Sequence, residues 1–299
     1  MKKYFLLSML AVLTLTSLSV ADDVKEKTWG EATIMVLTSS SSFGAYSNTA
    51  YMLSSFYSTN LAAPEGAKGT LTVPETLGIG PVIPLNITKY DEMAQTERLY
   101  YWGCSPTVLK GQPEVHGKGW RGKEQWWHVR SSGTADATKM MGLSADSKIP
   151  GKYVMETNYT GSMSVVLGEA QQFLPALTVT APTGDKVDTT QAIPVTWDAV
   201  DRAAGYHVMA VGKNADGKDV TWENAYNAIL WHRIGATKAL QKGLLHAPDK
   251  RSCTIPASIF KGQVSIIVTG VSPIATGTGA FSYWGWAQTM TTKTLNLGG

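Results

Sequence analysis

The chain has 299 residues with a formal net charge of +3, and only 16% of them are charged, against about 25% in an average soluble domain. A near-neutral chain offers little field for phosphate, so nucleic acid is excluded as an expected partner. Plentiful Gly, Ser, Thr and aromatic residues favour strands and turns over helices.

Lys2 and Lys3 precede an apolar run from about Tyr4 to Leu18, which ends in Ser19-Val20-Ala21. That order predicts an export signal, residues 1–21, cut after Ala21. The run is too short, and too rich in Ser and Thr at its end, for a membrane span of about 20 apolar residues. No Cys lies near the cut, so a lipid anchor is not expected. Removing the signal leaves 278 residues with a net charge of +1, because Lys2 and Lys3 are its only charged residues. The mature protein is therefore expected to begin at Asp22, in the periplasm or outside the cell, under oxidising conditions. No later apolar stretch is long enough for a membrane helix, so the mature chain is expected to carry no transmembrane segment. Thirteen prolines and one helical segment speak against an outer-membrane barrel.

The first region is assigned to residues 22–173. Its polar tract at 38–43 is followed by Tyr46, Tyr51, Phe56 and Tyr57, aromatics enough to pack as ordered strands and loops. Three prolines and two glycines in 74–84 predict an extended, turn-rich crossing with no central strand. Strands are predicted at 98–102, 125–130, 152–157 and 162–167, each bounded by Gly, Pro or Ser-rich punctuation. A basic, glycine-broken loop occupies 116–123, and a short helix is predicted around 91–98.

The second region is assigned to residues 174–299. Val195 and Trp197, then Tyr206, Val208 and Ala210, fall at period two and should share a buried face. Asn214-Ala215-Asp216-Gly217 predicts a hairpin turn. This pattern resembles strands A, B and C of a fibronectin type III or related immunoglobulin-like sandwich, over about forty residues. The resemblance implies that the Trp and Tyr pack between two sheets. The pattern departs from that family at 223–245, where Tyr226, Ile229, Leu230, Ile234, Leu240 and Leu244 recur at near-helical spacing with Gly235 as an interruption. Strands return at 253–256, 264–268 and 280–287. A second likeness spans both regions. Tyr101-Trp102-Gly103-Cys104 with Gly111-Gln112-Pro113, and Cys253-Thr254-Ile255-Pro256 with Ile259-Phe260, resemble segments of exported proteobacterial proteins with no assigned activity. It implies a Gram-negative envelope or secreted origin and carries no catalytic residue across.

Candidate chemistry is sparse. His116, His128, His207, His232 and His246 form no HxH, HExxH or CxxC spacing, so scattered packing or solvated histidines are expected and no metal is assigned. There is no G-x-S-x-G elbow and no P-loop. Glu114, Glu124 and Glu156 could be proposed as a glycosidase pair, but solvated carboxylates are the plainer reading. Aromatics give the best binding signal. Trp120, Trp126 and Trp127, and separately Trp284 and Trp286, could present flat faces to sugar rings. Trp126 and Trp127 are adjacent in a predicted strand and point to opposite faces, whereas Trp284 and Trp286 share one face. The only two cysteines, Cys104 and Cys253, lie one in each region, and export would place them where thiols oxidise, so a disulfide is expected.

The expected fold is therefore all-β: two β-sandwich-like domains, 22–173 and 174–299, the second immunoglobulin-like with a helical insert near 223–245. The expected role is non-catalytic and needs no cofactor. It is binding of a protein or glycan partner, or self-assembly, at the periplasm, cell surface or extracellular matrix. The alternative is a carbohydrate-binding or carbohydrate-active protein built on a tryptophan platform.

Overall fold

In the computed structural model the described residues are 29–39, 49–50, 53–58, 68–89, 96–107, 110–116, 125–130, 141–142, 147–158, 161–228, 231–279 and 282–299. The expected signal, Tyr46, Tyr51, and residues 117–123 of the basic loop lie outside them. The fold is all-β with a short helix. Among the described residues no helix is long and apolar enough to cross a membrane.

The second region forms two sheets around one core. β12 (Val179–Ala181), β13 (Ile193–Trp197) and β16 (Ser252–Ile255) make a three-stranded sheet in that order. Opposite it run β15 (Asp219–Glu223), β14 (Gly205–Lys213), β17 (Val264–Val271) and β19 (Ser282–Leu297), neighbours in a larger sheet. The period-two residues account for this arrangement. Val195, Trp197, Tyr206, Val208 and Ala210 are all buried in a single cluster with Trp222, Ile255, Ile266 and Val268. Burying side chains of this size contributes about 1.5–3 kcal/mol each. The Trp197 and Tyr206 rings meet at 5.5 Å, and the Tyr206 hydroxyl accepts the Val200 backbone N–H at 2.8 Å.

The β14–β15 hairpin forms for a local reason. Asn214 Oδ1 accepts the backbone N–H groups of Asp216 and Lys218, and Gly217 takes the left-handed φ of 75° that the turn requires. Helix α1 (Trp231–Gln241) lies inside the predicted insert. Its start is later than the spacing suggests, because Glu223 ends β15 and Tyr226 sits in the turn beyond it. The helix is interrupted at Gly235, with φ 77° and ψ 160°, where a Cβ would come 2.7 Å from Ile274. Ala236 and Ala239 of α1 pack with Leu245 and Val271, so the insert covers part of the larger sheet that the sandwich core leaves open.

Strands of the first region include β1 (Trp29–Ser39), β3 (Leu53–Ser58), β4 (Gly69–Thr72), β5 (Val82–Lys89), β8 (Gln125–Arg130), β10 (Gly151–Thr157) and β11 (Gly161–Leu167), with β18 (Ala275–Gly279) arriving from the second. Their pairing runs β19-β18-β11-β10-β4-β5-β8-β3-β1 and returns to β19, which pairs with β1 in parallel from Trp29↔Ser282 to Ser39↔Thr292. It is a closed ring rather than two facing sheets. Short β2 (Thr49–Ala50) and β9 (Met141–Gly142) extend beyond β1. β10 shows why its residues suit this position: Tyr153 and Met155 are buried, while Lys152 and Glu156 face outward.

Two predictions are corrected here. Residues 96–98 belong to β6 (Thr96–Trp102), so the helix expected at 91–98 does not extend to them, and 91–95 lie outside the described residues. The crossing at 74–84 does contain a strand start, since β5 begins at Val82 and includes Pro84. That proline is tolerated because residues 82–85 pair only with β4, and β8 joins from Asn86 onward.

The pairing also crosses the expected boundary at 173/174. β6 and β7 (Lys110–His116) form a hairpin that joins the second region's sheet through parallel β6–β15 pairs, from Val220↔Leu99 to Glu223↔Trp102. In return, β18 and the first half of β19 complete the ring. The connecting residues are themselves bonded to β19: Thr289 Oγ1 donates to the Gln172 carbonyl at 3.1 Å, and Leu177 N–H donates to Thr291 Oγ1 at 3.2 Å.

Candidate functional site

Four buried polar side chains of the second region, His207, Glu223, Asn224 and His246, gather where the β6–β7 hairpin meets the sandwich. After β6 the chain leaves the larger sheet. Gly103 N–H donates to the Glu223 carbonyl at 3.0 Å, and Ser105 N–H donates to the Thr254 carbonyl, beside β16, at 3.1 Å. Cys104 sits at that crossing. It is bonded to Cys253 of β16 with the two Cα atoms 5.0 Å apart, so the expected disulfide ties the hairpin to the three-stranded sheet.

His246 completes this corner. Its backbone exchanges two hydrogen bonds with Tyr206, at 3.0 and 2.8 Å, which pin it against β14. The imidazole stacks on Trp197, with ring centroids 6.1 Å apart and planes at 27°, and its Nε2 lies 3.3 Å from Cys104 Sγ. The two sulfurs and a ring nitrogen of His246 all fall within 4.8 Å of one another. Burial, and after it the positive charge of Lys250, push the imidazole down to about 4. It is a neutral ring at physiological pH.

Beside the disulfide lies a buried acid. Glu223, at the end of β15, accepts the Tyr100 hydroxyl at 2.6 Å through Oε2, while its Oε1 is 3.6 Å from His207 Nε2. Tyr100 OH in turn accepts the Asn227 N–H at 2.9 Å. Asn224 spans two elements: its Oδ1 accepts from Val208 N–H and its Nδ2 donates to the Leu244 carbonyl, both at 3.0 Å. Parallel β6–β15 register explains why Tyr100 and Glu223, 123 residues apart, meet. A buried carboxylate requires such donors, because desolvation without them costs several kcal/mol.

Above this network the surface is aromatic. Trp102 and Tyr226 lie 4.8 Å apart with planes at 49°, and Tyr100 packs under Trp102 at 5.5 Å. Tyr226 is 47% exposed.

The platform residues expected from sequence are not brought together here. Trp120 lies outside the described residues. Trp126 and Trp127 are on β8, opposite Tyr57 and Phe56 of β3. Trp284 and Trp286 are on β19, opposite Glu31 and Thr33 of β1 and Thr278 and Thr276 of β18, hence within the ring. Of the carboxylates, Glu114 sits on edge strand β7 opposite Arg98, Glu156 is exposed on β10, and Glu124 is outside the described residues. Of the five histidines, His207 and His246 are both buried and packed within this corner. No spacing motif announces them: Cys104, whose sulfur lies beside His246, is 142 residues away in sequence. The weak signal was that His246 precedes Cys253 by seven residues in a turn-rich segment.

Compared with family models, with curated proteins and with solved structures, the chain matches none.

Proposed function

We propose that this is an exported, non-catalytic binding protein of the periplasm, cell surface or matrix, in which residues 174–299 form an immunoglobulin-like sandwich and the β6–β7 hairpin is locked to it. The observation that carries the reading is the disulfide between Cys104 and Cys253, which spans two sheets. A bond of this kind persists in an oxidising compartment, and it opposes the hinge motion by which many enzymes close. The strand order supports the sandwich: β12-β13-β16 opposite β15-β14-β17-β19, with Trp197 and Tyr206 between them. The test is chemical crosslinking in the intact envelope of the native cell, followed by identification of what is joined. A discrete protein partner, or a second copy, is the expected product. Absence of any crosslinked product, together with turnover of a small substrate by the purified protein, would overturn it.

A second reading, glycan recognition, is favoured by the aromatic corner. Tyr226 and Trp102 offer ring faces beside a buried acid network that holds Tyr100 in place, and stacking of this kind contributes about 1 kcal/mol per ring. Tyr226→Ala should weaken retention on polysaccharide about fivefold while leaving the near-UV circular dichroism unchanged. Failure of the wild-type protein to bind any envelope or plant polysaccharide would remove this reading and leave the first intact.

A further inference from the structure

We propose that reduction of the Cys104–Cys253 bond turns this corner into a Cys2His site for a zinc ion. Three donors already converge, with Cys104 Sγ 3.3 Å from His246 Nε2 and all three donor atoms within 4.8 Å of one another. Tetrahedral zinc with Zn–S near 2.3 Å and Zn–N near 2.0–2.1 Å sets its donors about 3.5–3.8 Å apart. The present separations bracket that range, so small side-chain rotations of the parted sulfurs complete the site.

Each donor is carried by a backbone position held independently of the disulfide. Cys253 lies in β16 opposite Val195. His246 is clamped to Tyr206 by two backbone bonds, and Cys104 is flanked by the Gly103–Glu223 and Ser105–Thr254 bonds. Opening the S–S bond therefore leaves the three groups facing one another. Such preorganisation is what a tight metal site demands.

The chemistry balances in two steps. A dithiol reductant attacks at the half-buried Cys104, gives two electrons and two protons to the bond, and leaves as its own disulfide, so the protein carries two thiols. Zinc then displaces both thiol protons and accepts two thiolates and the imidazole, leaving a fourth position for water. Charge selects the ion. Two thiolates neutralise a divalent cation, whereas a monovalent copper ion would leave a net negative charge where Cys253 and His246 are buried.

The experiment uses the full exported protein, reduced by a thiol-free phosphine without oxygen and titrated with zinc against a chromophoric chelator, with cobalt(II) as the spectroscopic probe. The reduced protein should take up a single zinc ion that the oxidised protein does not, and cobalt should show thiolate charge-transfer absorption. His246→Ala should weaken uptake by at least about 100-fold, a loss that even an outer-shell partner can cause, while the oxidised variant keeps its near-UV circular dichroism. Cys253→Ser should remove the charge-transfer band. Equal zinc uptake by oxidised and reduced protein, cobalt spectra without sulfur ligation, undiminished binding by His246→Ala, or uptake of copper(I) alone would each overturn the proposal. So would a reduced chain that loses its near-UV signal and does not regain it when zinc is added.

Discussion

Besides the strand pairing of the ring, two seams among the described residues join the early and late parts of this chain, and they are built from different chemistry. At the first, the β6–β7 hairpin joins the sandwich through a covalent bond, a buried carboxylate and two buried histidines. At the second, the connecting residues 171–178 and the β17–β18 turn meet β19 through neutral groups. Ser272 Oγ accepts the Thr289 N–H at 3.0 Å, Ser272 N–H donates to the Thr289 carbonyl at 2.9 Å, and Gln171 Nε2 donates to the Pro273 carbonyl at 3.1 Å. Neutral amide and hydroxyl bonds do not change with pH or redox state, whereas at the first seam the disulfide responds to redox state and His246 to pH. The difference teaches where sensitivity to the surroundings is placed: at the aromatic, disulfide-bearing corner and not at the joint where the connecting residues meet β19.

The largest expected effect breaks the first seam covalently. Replacing both Cys104 and Cys253 by Ala reopens a loop of 149 residues, which in the chain-entropy model costs about 5 kcal/mol. Urea unfolding at neutral pH measures it, and a change under about 1 kcal/mol would show that the strand pairing alone sets the joint.

Acid should weaken the same seam. His246 is held down to about 4 in the folded protein, against about 6.5 when unfolded. Above about pH 6.5 the ring is neutral in both states and its full contribution is present. Between about 6.5 and 4 only the unfolded chain takes up the proton, so stability falls with decreasing pH by about 3 kcal/mol. In His246→Gln that part of the pH profile should flatten, as read by thermal unfolding across the window.

Smaller still is the Tyr100 hydroxyl. Tyr100→Phe deprives the buried Glu223 carboxylate of its 2.6 Å donor, a loss of about 1–3 kcal/mol. Urea unfolding at pH 7 checks it. The smallest change sharpens the contrast from the other side: Ser272→Ala leaves the Thr289 N–H without its acceptor and should cost about 1 kcal/mol. That loss should be the same at pH 5 and pH 7.

Much of the sandwich was legible in the sequence because its information is local. Alternation at Val195, Trp197, Tyr206, Val208 and Ala210 specifies which face is buried, and Asn214-Ala215-Asp216-Gly217 specifies the turn between two neighbouring strands. The ring was not legible, because its closure depends on β1 meeting β19, some 250 residues apart, and alternation says nothing about which strand is whose neighbour. The disulfide could be read by counting, since only two cysteines exist. Its surroundings could not. Tyr100, Glu223 and His246 carry no spacing motif and acquire meaning only when parallel β6–β15 pairing and the Tyr206–His246 bridge bring them to Cys104.

The most direct test of the account is the state of Cys104 and Cys253 in protein recovered from the native cell's exported fraction. Alkylation under denaturing, non-reducing conditions, followed by mass measurement of the intact chain, should find neither thiol modified, and both modified only after prior reduction. Two alkylated thiols without reduction would contradict the disulfide-locked corner, and with it the reading of this chain as an exported, rigidly joined binding protein.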